Sequence, residues 1–253
     1  MDELDAIEAI WVGHRQGLHH PAAWQGRLTL AQAYRVQLGL LDRYVAAGDR
    51  HVGWKVGLTS KAMQEQQGLV EPVFGFLLES GHRETGTVFS SADLIRPAFE
   101  NELCLTIGRT LRGPGVTLTE ARDSIASVAP ALEIVERRGD AAGDLPLALA
   151  DNAQQKAFVT GLDRPLDALD LAAVAADVTV NGAHQERALG AAVLGTPVAS
   201  IAWLANKLAE LDRGLEAGML VMSGSFTRQY AIASGDAVEV HFDQVSVVSA
   251  EFR

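Results

Sequence analysis

PAFENELCLTIGR, residues 97–109, places two glutamates, Glu100 and Glu102, two apart at the start of an apolar run. In an extended strand every second side chain points to the same face, so the two carboxylates project side by side. Cys104 and Thr106 continue their face, while Phe99, Leu103, Leu105 and Ile107 take the other. Like charges this close repel unless water screens them or a cation lies between them. The strand therefore either turns its polar face to water or holds a metal ion.

The segments around it share its character. HVGWKVGLTS (51–60), EPVFGFLLES (71–80) and TVFSS (87–91) are short apolar runs punctuated by glycine and proline, which read as strands and tight turns. TLTEARDSIASVA (117–129) reads as a helix that ends before Pro130, with ALEIVE (131–136) as a strand after it. ADVTVNGAHQERA (176–188) reads as a hairpin with Asn181-Gly182 at its tip in a type I′ turn. TPVASIAWLANKLAELDRG (196–214) reads as a helix capped by Thr196, with Pro197 at its first position and Gly214 beyond its end. The last strands come from GMLVMSGSF and DAVEVHFDQVSVVSAEF, and residues 139–145 read as a surface loop.

Residues 1–50 differ from all this. Leu4, Ile7, Ile10 and Trp11 form a helical stripe. Thr29 caps a second helix with Tyr34, Leu38, Leu41 and Val45 on one face and Gly48 at its stop. The expected organisation is a helical segment, 1–50, followed by a β-rich catalytic domain, 51–253. Strands do not alternate regularly with helices, so the class is α+β rather than a Rossmann or TIM arrangement.

Bulk properties exclude several functions. Hydrophobic residues make up 48% and charged residues 21% of the 253, enough for a core, and the formal net charge is −11 with no basic run. A nucleic-acid surface is not expected, since phosphates require clustered Lys and Arg. Cys104 is the lone cysteine, so one chain builds neither a disulfide nor a thiolate zinc site, in keeping with a reducing cytoplasm. No apolar stretch reaches membrane-spanning length, and MDELDAIEAIW is too acidic for a signal peptide.

A third acid, Glu133, lies inside APALEIVE on the face opposite Leu132 and Ile134. A carboxylate among apolar neighbours is costly to bury unless paired or coordinated. Three carboxylates without a cysteine or histidine cluster suit a hard divalent cation such as Mg²⁺ or Mn²⁺, and Lys55, between Gly53 and Gly57, would offset the surplus negative charge. A water-facing strand lysine remains the alternative. Asp151 and Asn152 in ALADNAQQKAFVTG are either a turn former or polar groups for a substrate. Ser223, Ser225 and Arg228 in MSGSFTRQY offer hydroxyls and a guanidinium suited to a carboxylate, and the segment lacks the pattern of a hydrolase nucleophile elbow.

In this order, WKVGLTS, EPVFG, ENEL, PALEIV, ADNA, LGTPVASIAWLANKLAE and SGSFTR resemble the 2-hydroxypentadienoate (2-keto-4-pentenoate) hydratase and 4-oxalocrotonate decarboxylase family, which is related to fumarylacetoacetate hydrolase. The resemblance runs from the helix around Tyr34 to the final strand. It implies a mixed, fumarylacetoacetase-like β-roll core with a helical N-terminal part. It also implies a homo-oligomer that associates with a pathway enzyme, and one Mg²⁺ or Mn²⁺ on Glu100, Glu102 and Glu133 with Lys55 in the active site. The implied activity is hydration of a 2-hydroxy or 2-oxo dienoic acid to a 4-hydroxy-2-oxo acid in aromatic meta-cleavage catabolism. Lys55 would help hold the enolate oxygen, Asp151 or Asn152 would position the dienoate or water, and Arg228 would meet the distal carboxylate of a dioate such as 2-oxohept-4-enedioate. The alternatives are a 4-oxalocrotonate-type decarboxylase and an inactive subunit that binds a partner. Val73 departs from the family pattern, where an acid lies between the proline and the aromatic-glycine pair, as does the run Gln154, Gln155, Lys156.

Overall fold

A computed structural model of the chain describes residues 2–19, 21–60, 64–65, 67–138 and 143–253. It opens with helix α1 (Glu3–Gln16), where Asp2 and Asp5 exchange side chain to backbone hydrogen bonds in a capping box. Helix α2 (Leu30–Ala46) begins the same way at Thr29 and Gln32. The expected apolar stripes hold at Ile7, Ile10, Tyr34, Leu38 and Leu41 and fail at their ends. Leu4 and Val45 are exposed, and the buried side of α2 widens to include Ala33, Val36, Gln37 and Leu40 beside Tyr34, Leu38 and Leu41. The strip is this wide because α2 packs against both α1 and the later helix α4, and stacks Tyr34 on Phe74 with ring centroids 4.5 Å apart.

Strands then dominate: β1 (His51–Gly57), β2 (Val73–Leu78), β3 (His82–Glu84), β4 (Thr87–Phe89) and β5 (Pro97–Ile107). Helix α3 (Leu118–Ser124) leads into β6 (Ile125–Glu136), and helix α4 (Leu145–Ala150) into β7 (Gln155–Thr160) and β8 (Arg164–Pro165). The hairpin of β9 (Ala175–Val180) and β10 (Ala183–Leu189) follows, then helix α5 (Pro197–Ala209). The chain closes with β11 (Leu220–Met222), β12 (Tyr230–Ala231), β13 (Ala237–Phe242) and β14 (Ser246–Phe252).

Three local expectations are corrected. The segment TLTEARDSIASVA is helical only to Ser124, and its second half belongs to β6. Ile125 and Val128 favour a strand, and Pro130 does not end it. Pro130 sits opposite Leu103, and its carbonyl accepts from Gly161 N–H at 2.8 Å. Its nitrogen thus faces the gap between the β7 and β8 pairings, where no ladder bond is lost. Thr196 precedes α5 but makes no side-chain cap, and Pro197 at the first helical position starts the helix by its fixed φ. Of the 139–145 loop, residues 139–142 lie outside the described residues, whereas Asp144 caps α4 by accepting from Leu147 N–H. Asn181 and Gly182 both adopt positive φ, 53° and 76°, as a type I′ tip requires.

The larger sheet has the order β2-β1-β11-β5-β6-β7-β3, with β12 added to β5 and β8 to β6. A five-stranded sheet has the order β10-β9-β13-β14-β4. One extended core joins the N-terminal helices, α5, the smaller sheet and one face of the large sheet. A second apolar cluster, Leu77, Cys104, Ala129, Ala131, Phe158 and Met222, comes entirely from strands of the large sheet and is equally buried. That face is covered because the sheet curls on itself, bringing β2 against β7 although four strands separate them in the pairing order. The class is α+β, and the curl creates an enclosed inner face.

Candidate functional site

The acids lie on that inner face. Glu100 sits directly opposite Glu133 in the β5–β6 register, with Glu102 one repeat further along. One carboxylate oxygen from each lies within 4.8 Å of the others. Glu102 and Glu133 are fully buried and Glu100 is half-buried, so water screening does not account for the cluster. Lys55 reaches it through the strand order, since Lys55 pairs with Met222 and Met222 with Cys104, which shares the face of Glu102. Lys55 is 5% exposed, and its ammonium lies 3.4 Å from Glu133 Oε1, an ion-pair contact without hydrogen-bond geometry.

Backbone and loop groups complete the surround. Gly224 N–H donates to Glu102 Oε2 at 2.8 Å, and Gln229 Nε2 donates to Glu100 Oε1 at 2.9 Å. Gly224 has φ +108°, and a Cβ there would stand 2.5 Å from Thr59 Cγ2, so only glycine brings its amide this close. The loop is held in place by Ser223 N–H to Leu103 O, Phe226 N–H to Asn101 O, and Asn101 Nδ2 to Thr227 Oγ1.

Several buried polar atoms here have no hydrogen-bond partner among the described residues: Glu102 Oε1, both oxygens of Glu133, and the hydroxyls of Ser223 and Ser225. Orphaned acceptors in one enclosed place are a costly arrangement unless a ligand completes it. Burial, then Glu133 and Glu100, push Glu102 well above the usual carboxylate range. Burial, partly offset by Lys55, raises Glu133 to about 7. Burial alone would lower Lys55, but Glu133, Glu100 and Glu102 outweigh it and hold the ammonium above its ordinary value. Three carboxylates and one ammonium leave a formal surplus of two negative charges, and the donors are all oxygen. A hard divalent cation satisfies both the charge and the orphaned lone pairs.

Of the sequence-derived site residues, Glu100, Glu102, Glu133 and Lys55 come together, with Ser223 and Ser225 in the loop that also supplies Gly224. Asp151 and Asn152 are buried beside β2 with their side-chain polar atoms already taken, Asp151 by His14 and Arg138, Asn152 by the backbone of Phe76. Neither therefore presents a free polar group to substrate or water. Arg228 is exposed, with its guanidinium 4.8 Å above the Tyr230 ring and its Nε 3.9 Å from Glu186. Val73 is buried on the wall by the lysine. A Cβ at Gly57 would touch both Lys55 Nζ, at 3.3 Å, and Val73 Cγ2, at 3.4 Å. Sequence reasoning missed Gly224 and Gln229, whose roles depend on a loop folding back over a distant strand. A second acidic group, Asp177, His241 and Asp243, is already bridged by Arg187, which pairs with both aspartates. Among the described residues no helix is long and apolar enough to cross a membrane.

Residues 45–253 match the family model described as fumarylacetoacetate (FAA) hydrolase C-terminal. The chain is 36% identical over 229 residues to 2-hydroxyhexa-2,4-dienoate hydratase of Comamonas testosteroni, covering 89% of this chain and 87% of that one. It is 36% identical over 234 residues to 2-oxo-hept-4-ene-1,7-dioate hydratase of Escherichia coli, with the same coverages. Among solved structures, 4-oxalocrotonate decarboxylase from Pseudomonas putida G7, complexed with magnesium and adipate, superimposes with a TM-score of 0.93 at 33% identity, covering 99% of this chain and 97% of that one. A second structure of that decarboxylase is complexed with calcium and acetate.

Proposed function

The chain belongs to the fumarylacetoacetate (FAA) hydrolase C-terminal family, and on that premise we propose that it is a metal-dependent hydro-lyase acting on a short 2-hydroxy or 2-oxo dienoic acid. The observation that carries this reading is the buried cluster of Glu100, Glu102 and Glu133, with its unpaired oxygens and adjacent Lys55. Relatives that are hydratases of such acids, and a decarboxylase structure holding a divalent cation and a dicarboxylate, support it. The machinery is assigned to residues 51–253, with 1–50 as a helical segment packed on it. The lone buried Cys104 suits a reducing cytoplasm, and assembly as a homo-oligomer is carried by the family resemblance.

Glu100, Glu102 and Glu133 would hold the cation, with Mg²⁺ or Mn²⁺ as the ions assigned. When bound, it supplies Lewis acidity toward the 1-carboxylate and 2-oxygen of the substrate. Lys55 donates a hydrogen bond to the 2-oxygen as negative charge develops there. Its ammonium is already desolvated, so it interacts strongly and needs little reorganisation. The hydroxyls of Ser223 and Ser225, buried and unpaired, donate to a substrate carboxylate. In the overall reaction the dienol gains a proton at C5 and loses its hydroxyl proton to give the 2-oxo-3-enoate. Water then adds its hydroxyl at C4 and a proton at C3, giving the 4-hydroxy-2-oxo acid.

Decarboxylation of a 4-oxalocrotonate-type acid is the second reading, and Val73 favours it. Its Cγ2 and Lys55 Nζ flank the same point beside Gly57, so an apolar group stands where the family resemblance implies an acid. Proton NMR of the purified protein with 2-hydroxyhexa-2,4-dienedioate and Mg²⁺, beside an EDTA-treated control, distinguishes the two. A metal-dependent hydrated product is expected. A product lacking one carboxyl carbon would transfer the assignment to decarboxylation. No turnover of this acid or of the heptenedioate would overturn the lyase reading.

A further inference from the structure

Between α4 and β7 the chain passes through Asn152, Ala153 and Gln154 with φ of +53°, +49° and +63°, three consecutive non-glycine residues in the left-handed region. Each costs about 1–2 kcal/mol and persists only where its surroundings over-determine it. Two sets of contacts do so. The Asn152 amide occupies the outer edge of β2, where no strand pairs among the described residues. Its Oδ1 accepts from Phe76 N–H at 2.7 Å and its Nδ2 donates to Phe76 O at 3.0 Å. Arg138 clasps both ends of the turn, donating to Asp151 O at 2.9 Å and to Gln155 O at 3.3 Å.

Asp151 links this turn to the N-terminal helices. It is 1% exposed, accepts from Arg138 Nε at 2.9 Å through Oδ2, and bonds His14 Nε2 of α1 through Oδ1. The other ring nitrogen of His14 lies 2.7 Å from the Tyr44 hydroxyl of α2. The far side of the turn and the lysine of the acid cluster flank Gly75. Gly75 pairs with Lys55 across β1 and β2, and a Cβ there would lie 2.9 Å from Asn152 Oδ1 and 3.1 Å from Lys55 Cε. With no side chain at 75, the turn and the lysine stem close on the same point.

We propose that Asp151, with His14 and Arg138, is a positioning residue: it locks the strained 152–154 turn, which flanks Gly75 together with the Lys55 stem, and so sets where the ammonium meets Glu133. The N-terminal helices then act on the active site from outside it. This rests on the proposed role of Lys55 in the reaction, and the test separates the two.

The chain has four lysines, Lys55, Lys61, Lys156 and Lys207. Protein labelled with ¹³C at the lysine ε-carbon therefore gives four signals, with Lys55 assigned by Lys55→Arg. Asp151→Asn and the milder His14→Gln are compared with the unsubstituted chain without substrate, so the readout needs no activity. The Lys55 signal is expected to shift in both variants while that of Lys207, held by Glu71 and Glu210, stays. In turnover, kcat is expected to fall about ten- to a hundredfold, as for a misplaced catalytic group, with KM changed less than about threefold. A Lys55 signal unmoved in the folded variants would overturn the positioning role, whatever the activity. A shifted signal in a chain that turns over no dienoate would uphold positioning and remove the proposed reaction instead. If Asp151→Asn does not fold, His14→Gln decides alone by the same signal.

Discussion

Glu102 has one-sided surroundings: one oxygen bound by Gly224 N–H, the other without a hydrogen bond among the described residues, and two carboxylates beside it. Substituting Glu102→Gln keeps an acceptor for Gly224 and removes a buried charge. The metal-free variant is expected to melt a few degrees above the metal-free parent, since about 1 kcal/mol corresponds to roughly 2–4 °C for a chain of this size. The parent gains about 2.7 kcal/mol at a hundredfold excess of metal over Kd, and the variant gains none. Thermal melts with and without Mg²⁺ check both. Arg228, exposed beside Tyr230, is assigned to a distal carboxylate by the family resemblance alone, and on that assignment Arg228→Ala is expected to raise KM for a dioate about tenfold, the loss of one charge-assisted pair, and to leave that of a monoacid unchanged. Steady-state kinetics on both acids check it, and equal KM changes would release Arg228 from the substrate. The acids were legible because two-residue spacing in a strand fixes their common face, and because a third acid among apolar residues demands a partner. For Asp151 the sequence leaves a turn and a substrate contact equally open, because its partner His14 lies 137 positions away and no local pattern reports that distance.

At the scale of elements, periodicity and punctuation located α1, α2, α5 and the β9–β10 hairpin. They failed where tertiary placement decides the outcome. Pro130 reads locally as a breaker, yet it sits in β6 at a gap between two partner strands, and the helix before it stops at Ser124. Gly53 tests the parallel β1–β11 pairing that carries Lys55 to the acids. A Cβ there would stand 1.8 Å from the Leu220 carbonyl oxygen, a backbone atom with no freedom to yield. Gly53→Ala is expected to cost more than about 3 kcal/mol by urea unfolding, beyond ordinary overpacking. A variant of parental stability would contradict the register.

At the scale of the whole molecule, the curl of the large sheet was implied by family resemblance and not by pattern, because alternation reports faces and not which strands meet at closure. The helical pair is joined to that sheet through a buried charge group, which makes stability pH-dependent. Burial on its own would raise Asp151, but Arg138 and His14 outweigh it and hold its carboxyl at about 2, below the ordinary 3.8. A depressed folded value contributes stability above the unfolded pKa, here about 2 kcal/mol, and loses it as pH falls from about 4 toward 2. The stability penalty of Asp151→Asn by urea unfolding is therefore expected to be full at neutral pH and to shrink across that window. A pH-independent penalty would deny the charge its role. The proposed divalent-cation site of Glu100, Glu102 and Glu133 lies on the inner face of the roll. Isothermal titration of Mn²⁺ into the metal-free chain and into Glu133→Gln tests it most directly. One site per chain, lost in the folded variant, is the expected result, and undiminished binding by the variant would contradict it.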